Sequence, residues 1–451
     1  MQGTEKGYLL NSRGDLSQIA RNAANRALAL GAQEVVASAT EMAGIVMRAR
    51  RGVFENAVRE GAQFVTIRVF HRGRMGTATT AALDPDAIDL TAGRAIAIAQ
   101  TVESDPDAAP ADDEWLARSA PEIEMFVPSG LSAQDLGRIA LEIEAGCIAE
   151  GEDAVRVGEA GAASVDACSA IAIGRDFDRS LIGSRHDLWC TALGERDGMM
   201  AQDSWSSTDR RLSQLQSAAL VGATAADRAR RKLGGRALTT RTCPVLFDAT
   251  VAASLVHEIV RALGGHAQVR GATFLGGGID SQALADHIDL LEDPFEPFGL
   301  ASGACDGEGV VSLRRRVIAG GRVQGYFLSC LYARKLGLVP TGNADGPRNL
   351  HFTSRDRAEP LDAMLRRMGR GLWLTELIGG AVDPVSGAYS KAAAGFWIED
   401  GEVAFPVQDI TIAGDLPVML RQIVAIGSDV HRNGAVRTGS VLIERMRVSG
   451  R

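Results

Sequence analysis

Positive charge is not in excess in this chain: 48 Lys and Arg stand against 56 Asp and Glu over 451 residues, giving a net charge of −8 and a pI of about 5.5. That balance leaves no extended basic face of the kind a phosphate backbone requires, which argues against nucleic acid as a partner. One cluster departs from it, formed by Arg228, Arg230, Arg231, Lys232, Arg236 and Arg241. With no aromatic residues interleaved in the sequence, it reads as the solvated end of a helix. Long apolar runs are missing too, and none approaches the roughly 20 residues that cross a bilayer. Met1 to Leu10 lacks the charged, apolar, small-residue order of a signal peptide. Cysteine is sparse and scattered, at positions 147, 168, 190, 243, 305 and 330, with no C-x-x-C pair. In a chain of this size that pattern indicates reduced, mostly buried thiols and a cytoplasmic protein. Aromatics make up only 5%, so the cores must be built from Ala, Val, Leu and Ile.

Glycine is abundant: 51 of 451 residues, about 11% against a usual 7% or so. Many tight turns and hairpins are therefore expected, in a strand-rich protein with helices added. The length calls for two or three domains. Asp15 to Leu30 carries an apolar stripe (Leu16, Ile19, Ala20, Ala23, Ala27, Leu30) and predicts a helix. Val35 to Ser38, Gly44 to Arg50 and Phe64 to Phe70 read as strands, and Asp84-Pro85 opens a helix that runs to about Val102. Ser104 to Glu114, rich in Asp, Ala and Pro, reads as an exposed, solvated linker. A helix over Ser132 to Glu150 is followed by short strands near Ser164 to Asp166, Ala170 to Gly174 and His186 to Leu193. After the polar break at Arg236 to Cys243, short strands alternate with Gly-containing turns, notably Ala319-Gly320-Gly321 and Glu399-Asp400-Gly401. The expected fold class is α+β. Residues 1–120 form an N-terminal αβ domain and 121–235 a central αβ region. Residues 240–451 form a mostly antiparallel β-sheet domain with a few helices.

One segment could carry metal chemistry: Leu255-Val256-His257-Glu258-Ile259-Val260-Arg261-Ala262-Leu263-Gly264-Gly265-His266. In a zinc peptidase, imidazole binds the metal and a following Glu takes a proton from the bound water. The familiar spacing needs a second His at i+4, and Arg261 stands there, a cation that cannot ligate zinc. His266 at i+9 falls near the opposite side of an ideal helix, unless Gly264-Gly265 ends the helix first and lets it swing. The structural alternative is a plain i,i+3 ion pair between Glu258 and Arg261. Other acidic stretches are weaker. Asp286, His287, Asp289, Glu292 and Asp293 read as loop polarity. Asp306-Gly307-Glu308-Gly309 is too short for a calcium loop and fits a turn before a strand at Val310. Cys305 has no neighbouring His or base to activate it. On chemistry alone, no complete active site is defined.

In the C-terminal half, Phe298-Gly299-Leu300-Ala301-Ser302, Asp306-Gly307-Glu308-Gly309-Val310, and Tyr332-Ala333-Arg334-Lys335-Leu336-Gly337 with Pro340-Thr341-Gly342-Asn343-Ala344 carry a resemblance to the TldD/PmbA family, on its TldE (PmbA-like) branch. Gly387 to Trp397, Ile423 to Asp429 and Thr438 to Ile443 extend it, and upstream Gly73 to Thr80 and the Asp84-Pro85 helix are similar. The resemblance implies a cytoplasmic peptidase of two subunits, acting on unfolded or extended peptides. Its TldD subunit holds zinc through His-Glu-x-x-x-His and a distant Cys, and its TldE subunit lacks the full set. Carried over, His257 (metal) and Glu258 (catalytic) match the first two motif positions, Ala262 replaces the second His, and Thr438 falls at the Cys. Neither a methyl group nor an un-ionised hydroxyl replaces imidazole or thiolate. The implied reading is a pseudo-enzyme subunit that binds no cofactor itself and forms a heterodimer with a TldD-like, zinc-holding partner. A homodimer of the isolated chain is compatible with a subunit built for a pseudo-symmetric pair. Two alternatives stand beside it: a self-sufficient metallopeptidase using His257, Glu258 and His266, and a non-hydrolytic peptide-binding or assembly protein.

Overall fold

The computed structural model describes residues 7–450, apart from the side chains of residues 56 and 57. Residues 1–6, and with them most of the Met1–Leu10 segment, lie outside the described residues, as does residue 451.

The first half is built from two successive αβββα units. The first comprises α1 (Arg13–Ala29), β1 (Glu34–Arg50), β2 (Val53–His71), β3 (Arg74–Thr80) and α2 (Pro85–Thr101). The second comprises α3 (Ala133–Gly151), β4 (Val155–Ile173), β5 (Phe177–Arg196), β6 (Met199–Asp209) and α4 (Ala218–Arg231). Both open in the same way: Ser12 and Ser132 cap α1 and α3, with Asp15 and Asp135 closing the capping box. Each box satisfies donors that the first helical turn leaves free. The units join through β1 and β4, antiparallel from Val36↔Ile173 to Ala49↔Ala160, giving one six-stranded sheet of order β3-β2-β1-β4-β5-β6. Residues expected to form two regions thus share a sheet, whose helices bury Ala-rich stripes against one face. Leu30, placed on the α1 stripe by periodicity, instead caps the helix and is exposed.

The strands of this sheet are far longer than the short segments expected. The residues around and between the expected segments belong to the same strands. Gly161 lies opposite Trp189 on β5, and a Cβ there would stand 2.1 Å from the indole. The glycine is a slot for an aromatic ring, a common way to keep glycine inside a strand.

The second half contains β7 (Arg241–Phe247), α5 (Ala249–Ala262), α6 (Gly265–Arg270), β8 (Ile288–Asp293), β9 (Arg315–Ala319), β10 (Arg322–Val323), α7 (Cys330–Leu336), β11 (Asn349–Ser354), α8 (Leu361–Met368), β12 (Gly371–Val382), β13 (Ala388–Glu399), β14 (Glu402–Asp415), α9 (Leu416–Arg421), β15 (Ile423–Ile426), β16 (Val436–Arg437) and β17 (Val441–Ser449). A six-stranded sheet runs β14-β13-β12-β7-β17-β15, and β14 also pairs with β17, so the sheet curls back on itself. A second sheet runs β10-β9-β8-β11-β16. Pairing is antiparallel except at β7–β12 and β11–β16. The protein is therefore α+β with mostly antiparallel sheets. Both hairpin turns form as expected, with positive φ at Gly320, Gly321, Asp400 and Gly401. The Asp286–Asp293 stretch is not loop polarity: it contains β8, and Glu292, 1% exposed, takes Arg315 at 2.8 Å and Asn343 at 2.7 Å.

Two charged segments expected to be solvated are instead the joints between the halves. At the end of α4, Lys232 is buried between Asp203 of β6 (2.8 Å) and Glu376 of β12 (2.5 Å). Arg231 lies over Trp373 and Phe396, Arg236 over Phe405 at 3.6 Å, and Arg241 over Trp397. The aromatic partners come from distant strands, so nothing in the local sequence showed them. The acidic linker is held likewise: Arg334 of α7 donates to the carbonyls of Asp107, Ala109 and Pro110, and Lys335 pairs with Asp105 at 2.8 Å.

Candidate active site and an interdomain cleft

Helix α5 begins at Asp248, whose carboxylate accepts from the Thr250 amide at 3.0 Å, an N-cap. Leu255, Val256 and Ile259 are fully buried against the core, which leaves His257 exposed on the outer face. Glu258 forms an ion pair with Arg261, as the i,i+3 alternative anticipated. Its carboxylate also faces Tyr389 of β13. Burial, and secondarily the Glu258 charge, push that phenol well above its ordinary pKa. The Tyr389 hydroxyl is buried without a hydrogen-bond partner among the described residues.

The helix ends at Ala262, before Gly264-Gly265, and α6 starts at Gly265. His266 is exposed in the first turn of α6, its ring edge-on to Tyr332 at 5.9 Å. Ala262 is 2% exposed, and its carbonyl accepts from Thr273 at 2.7 Å. Thr438 is also buried, its hydroxyl donating to the Gly439 carbonyl at 3.0 Å. His257 and Ala262 thus point to different sides of α5, one to solvent and one to the core. Among the described residues no group of three His, Cys, Asp or Glu is placed to hold a metal ion.

The structure also forms a cleft of about 630 Å³ between the halves, which sequence reasoning missed. Its walls come from β6, α4, the start of α5, β12 and the loop 427–435. Trp205, Trp373 and Asp248 line it, with His431 and Asn433. The Asn433 amide bridges the free edge of β6, donating to the Ser206 carbonyl and accepting from the Thr208 amide. His431 lies edge-on to Trp205 at 5.7 Å, and burial lowers its pKa, an effect partly offset by Asp248. The only local signal was Asp248-Ala249-Thr250, a helix cap. The remaining walls converge from segments far apart in sequence.

The fold is α+β, with the His257-Glu258 pair carried on helix α5. Residues 240–450 match the PmbA/TldA metallopeptidase C-terminal domain, and residues 34–99 match PmbA/TldA metallopeptidase domain 1. The chain belongs to the PmbA/TldD family of metallopeptidases. It is 35% identical to the metalloprotease PmbA of Escherichia coli O157:H7, over 93% of this chain and 92% of that one. A metalloprotease PmbA homolog of Haemophilus influenzae is 30% identical, over 97% of this chain and 96% of that one. The crystal structure of TldE from Thermococcus kodakarensis superposes with a TM-score of 0.82 at 17% identity, covering 96% of this chain and 100% of that one, a likeness of fold. The zinc implied by the family does not fit the residues present. Of the three positions that the resemblance assigns to zinc ligands, only His257 offers a good donor, and a catalytic zinc takes three protein ligands. No helix among the described residues is long and apolar enough to cross a membrane.

Proposed function

We propose that this chain is the TldE-type subunit of a cytoplasmic, two-subunit peptidase. It holds no catalytic zinc and completes the working chamber around a TldD-like partner that does. The substrates are unfolded or extended peptides. The observation that carries this reading is the chemistry at the motif positions. The Ala262 methyl sits in the core and the Thr438 hydroxyl is occupied by a backbone carbonyl, so His257 stands without companions. The Glu258 carboxylate is engaged by Arg261 on the same helix. Its part here is structural.

The test is elemental analysis of the purified chain, followed by a peptide-cleavage assay with and without a TldD-like protein. Zinc near zero per chain, with cleavage only after the partner is added, supports the reading. Zinc near one per chain overturns it and directs attention to His257 and His266.

A further inference from the structure

The cleft between the halves has an unequal supply of hydrogen-bonding groups. Each carboxylate lining it already accepts from a neighbour. Asp248 takes the Trp373 indole at 3.1 Å and the Thr250 hydroxyl at 2.6 Å, and Asp429 takes the amide and hydroxyl of Ser440. Asp209 takes Arg211 at 3.2 Å, and Asp227 takes Arg230 at 3.0 Å. The donors are less fully used. Arg432 is exposed at the mouth and has no hydrogen bond or ion pair with any described residue. The Arg437 guanidinium, its side chain 32% exposed, pairs on one side with Glu296 through Nη1 at 2.9 Å. Half-buried aromatic surface, Trp205 and Phe298, borders these cations.

A ligand that complements this cleft brings acceptors and negative charge, because the lining carboxylates are engaged and the Arg432 guanidinium is not. A carboxylate matches the forked guanidinium groups. The adjoining rings favour a flat or apolar body next to it. The volume lies within the roughly 300–1,000 Å³ usual for small-ligand sites.

We propose that the interdomain cleft is a binding site for a carboxylate carried on an apolar or aromatic body, with Arg432 and Arg437 as its anion contacts. The site is separate from the motif positions. Thr250 lines it at the start of α5, while His257 lies two turns further along, about 10 Å by helix rise. The proposal holds whether or not the chain pairs with a zinc subunit. The same chemistry is offered by the C-terminus of a peptide ending in an aromatic residue and by a free aromatic acid.

Calorimetric titration of the full chain with N-acetylphenylalanine, with its amide, and with a tetrapeptide ending in Phe as free acid or amide tests this. The acids should bind at least about tenfold more tightly than the matching amides, the scale of a charge-assisted hydrogen bond. Arg432→Ala should weaken acid binding about fivefold or more, and Arg432→Lys should restore part of it. Arg432 has no described partner, so the melting curve of either variant should match the wild type. Tighter binding of the peptide acid identifies a chain terminus, and equal binding identifies a free acid. Equal affinity for acid and amide, no binding of either up to about 10 mM, or an unchanged affinity in Arg432→Ala overturns the proposal.

Discussion

Replacing Lys232 by Met tests the joint between the halves. Lys232 is 8% exposed, and its ammonium lies 2.8 Å from Asp203 and 2.5 Å from Glu376, so one cation is shared by carboxylates from both halves. Breaking a buried pair by removing one partner costs on the order of 3–5 kcal/mol, because the charge left behind is uncompensated. Two features reduce that figure here. Asp203 keeps Arg228 at 3.2 Å, and Glu376, with its side chain 38% exposed, can turn toward water. About 2–3 kcal/mol remains, assigned mainly to Asp203. Methionine fills the volume of the lysine stem, which confines the change to charge. The assay is urea unfolding followed by circular dichroism and by tryptophan fluorescence, since a chain of this size need not unfold in one step. The expected outcome is a transition lowered by about 2–3 kcal/mol at unchanged slope. Adding Glu376→Gln should cost less in the Lys232→Met background than in the wild type, because the shared cation is already gone. A loss below about 0.5 kcal/mol would mean that the ammonium behaves as an exposed surface pair, and the reasoning would be refuted.

Two further outcomes follow from the geometry. Asp306 is buried beneath its own turn and accepts from the amides of Glu308, Val310 and Ala344; burial pushes its carboxyl up to about 6. A raised carboxyl favours the folded state most below the unfolded value of about 3.8 and loses that contribution as pH rises through about 6, by roughly 3 kcal/mol. The stability difference between wild type and Asp306→Asn should therefore shift between pH 4 and 7, and a pH-independent difference would contradict the burial argument. Arg334→Ala removes three hydrogen bonds to linker carbonyls, so cleavage by a glutamyl endopeptidase at Glu103 and Glu114 should speed up by about tenfold while the far-UV spectrum stays the same. An unchanged cleavage rate would show that other contacts hold the linker.

Much of the fold was legible because its signals are local. The alternation of Val65, Ile67 and Val69, the Asp84-Pro85 start of α2 and the glycine hairpins each depend on neighbours a few residues away. The motif helix was legible for the same reason, including the ion pair of Glu258 with Arg261 and the end of α5 before Gly264-Gly265. Strand length was not, because residues outside the expected segments, such as Gly161, owe their place in the strand to a distant partner, here Trp189 filling the space beside it. The cleft was invisible for a related reason: its walls come from β6, α4, α5, β12 and the loop around His431, and no window of sequence contains them together.

By itself, the sequence determined the α+β class, the reduced and buried cysteines, the family, and the residue types at the motif positions. These rest on composition, periodicity and residue identity, which do not require knowing what lies opposite. The tertiary structure alone decided where charge is used. Arg231, Lys232, Arg236 and Arg334 look solvated in the sequence, yet each meets an aromatic face, a carboxylate or a carbonyl from a distant segment. Coulombic and cation–π contacts depend on separation in space, and for these residues chain folding sets that separation.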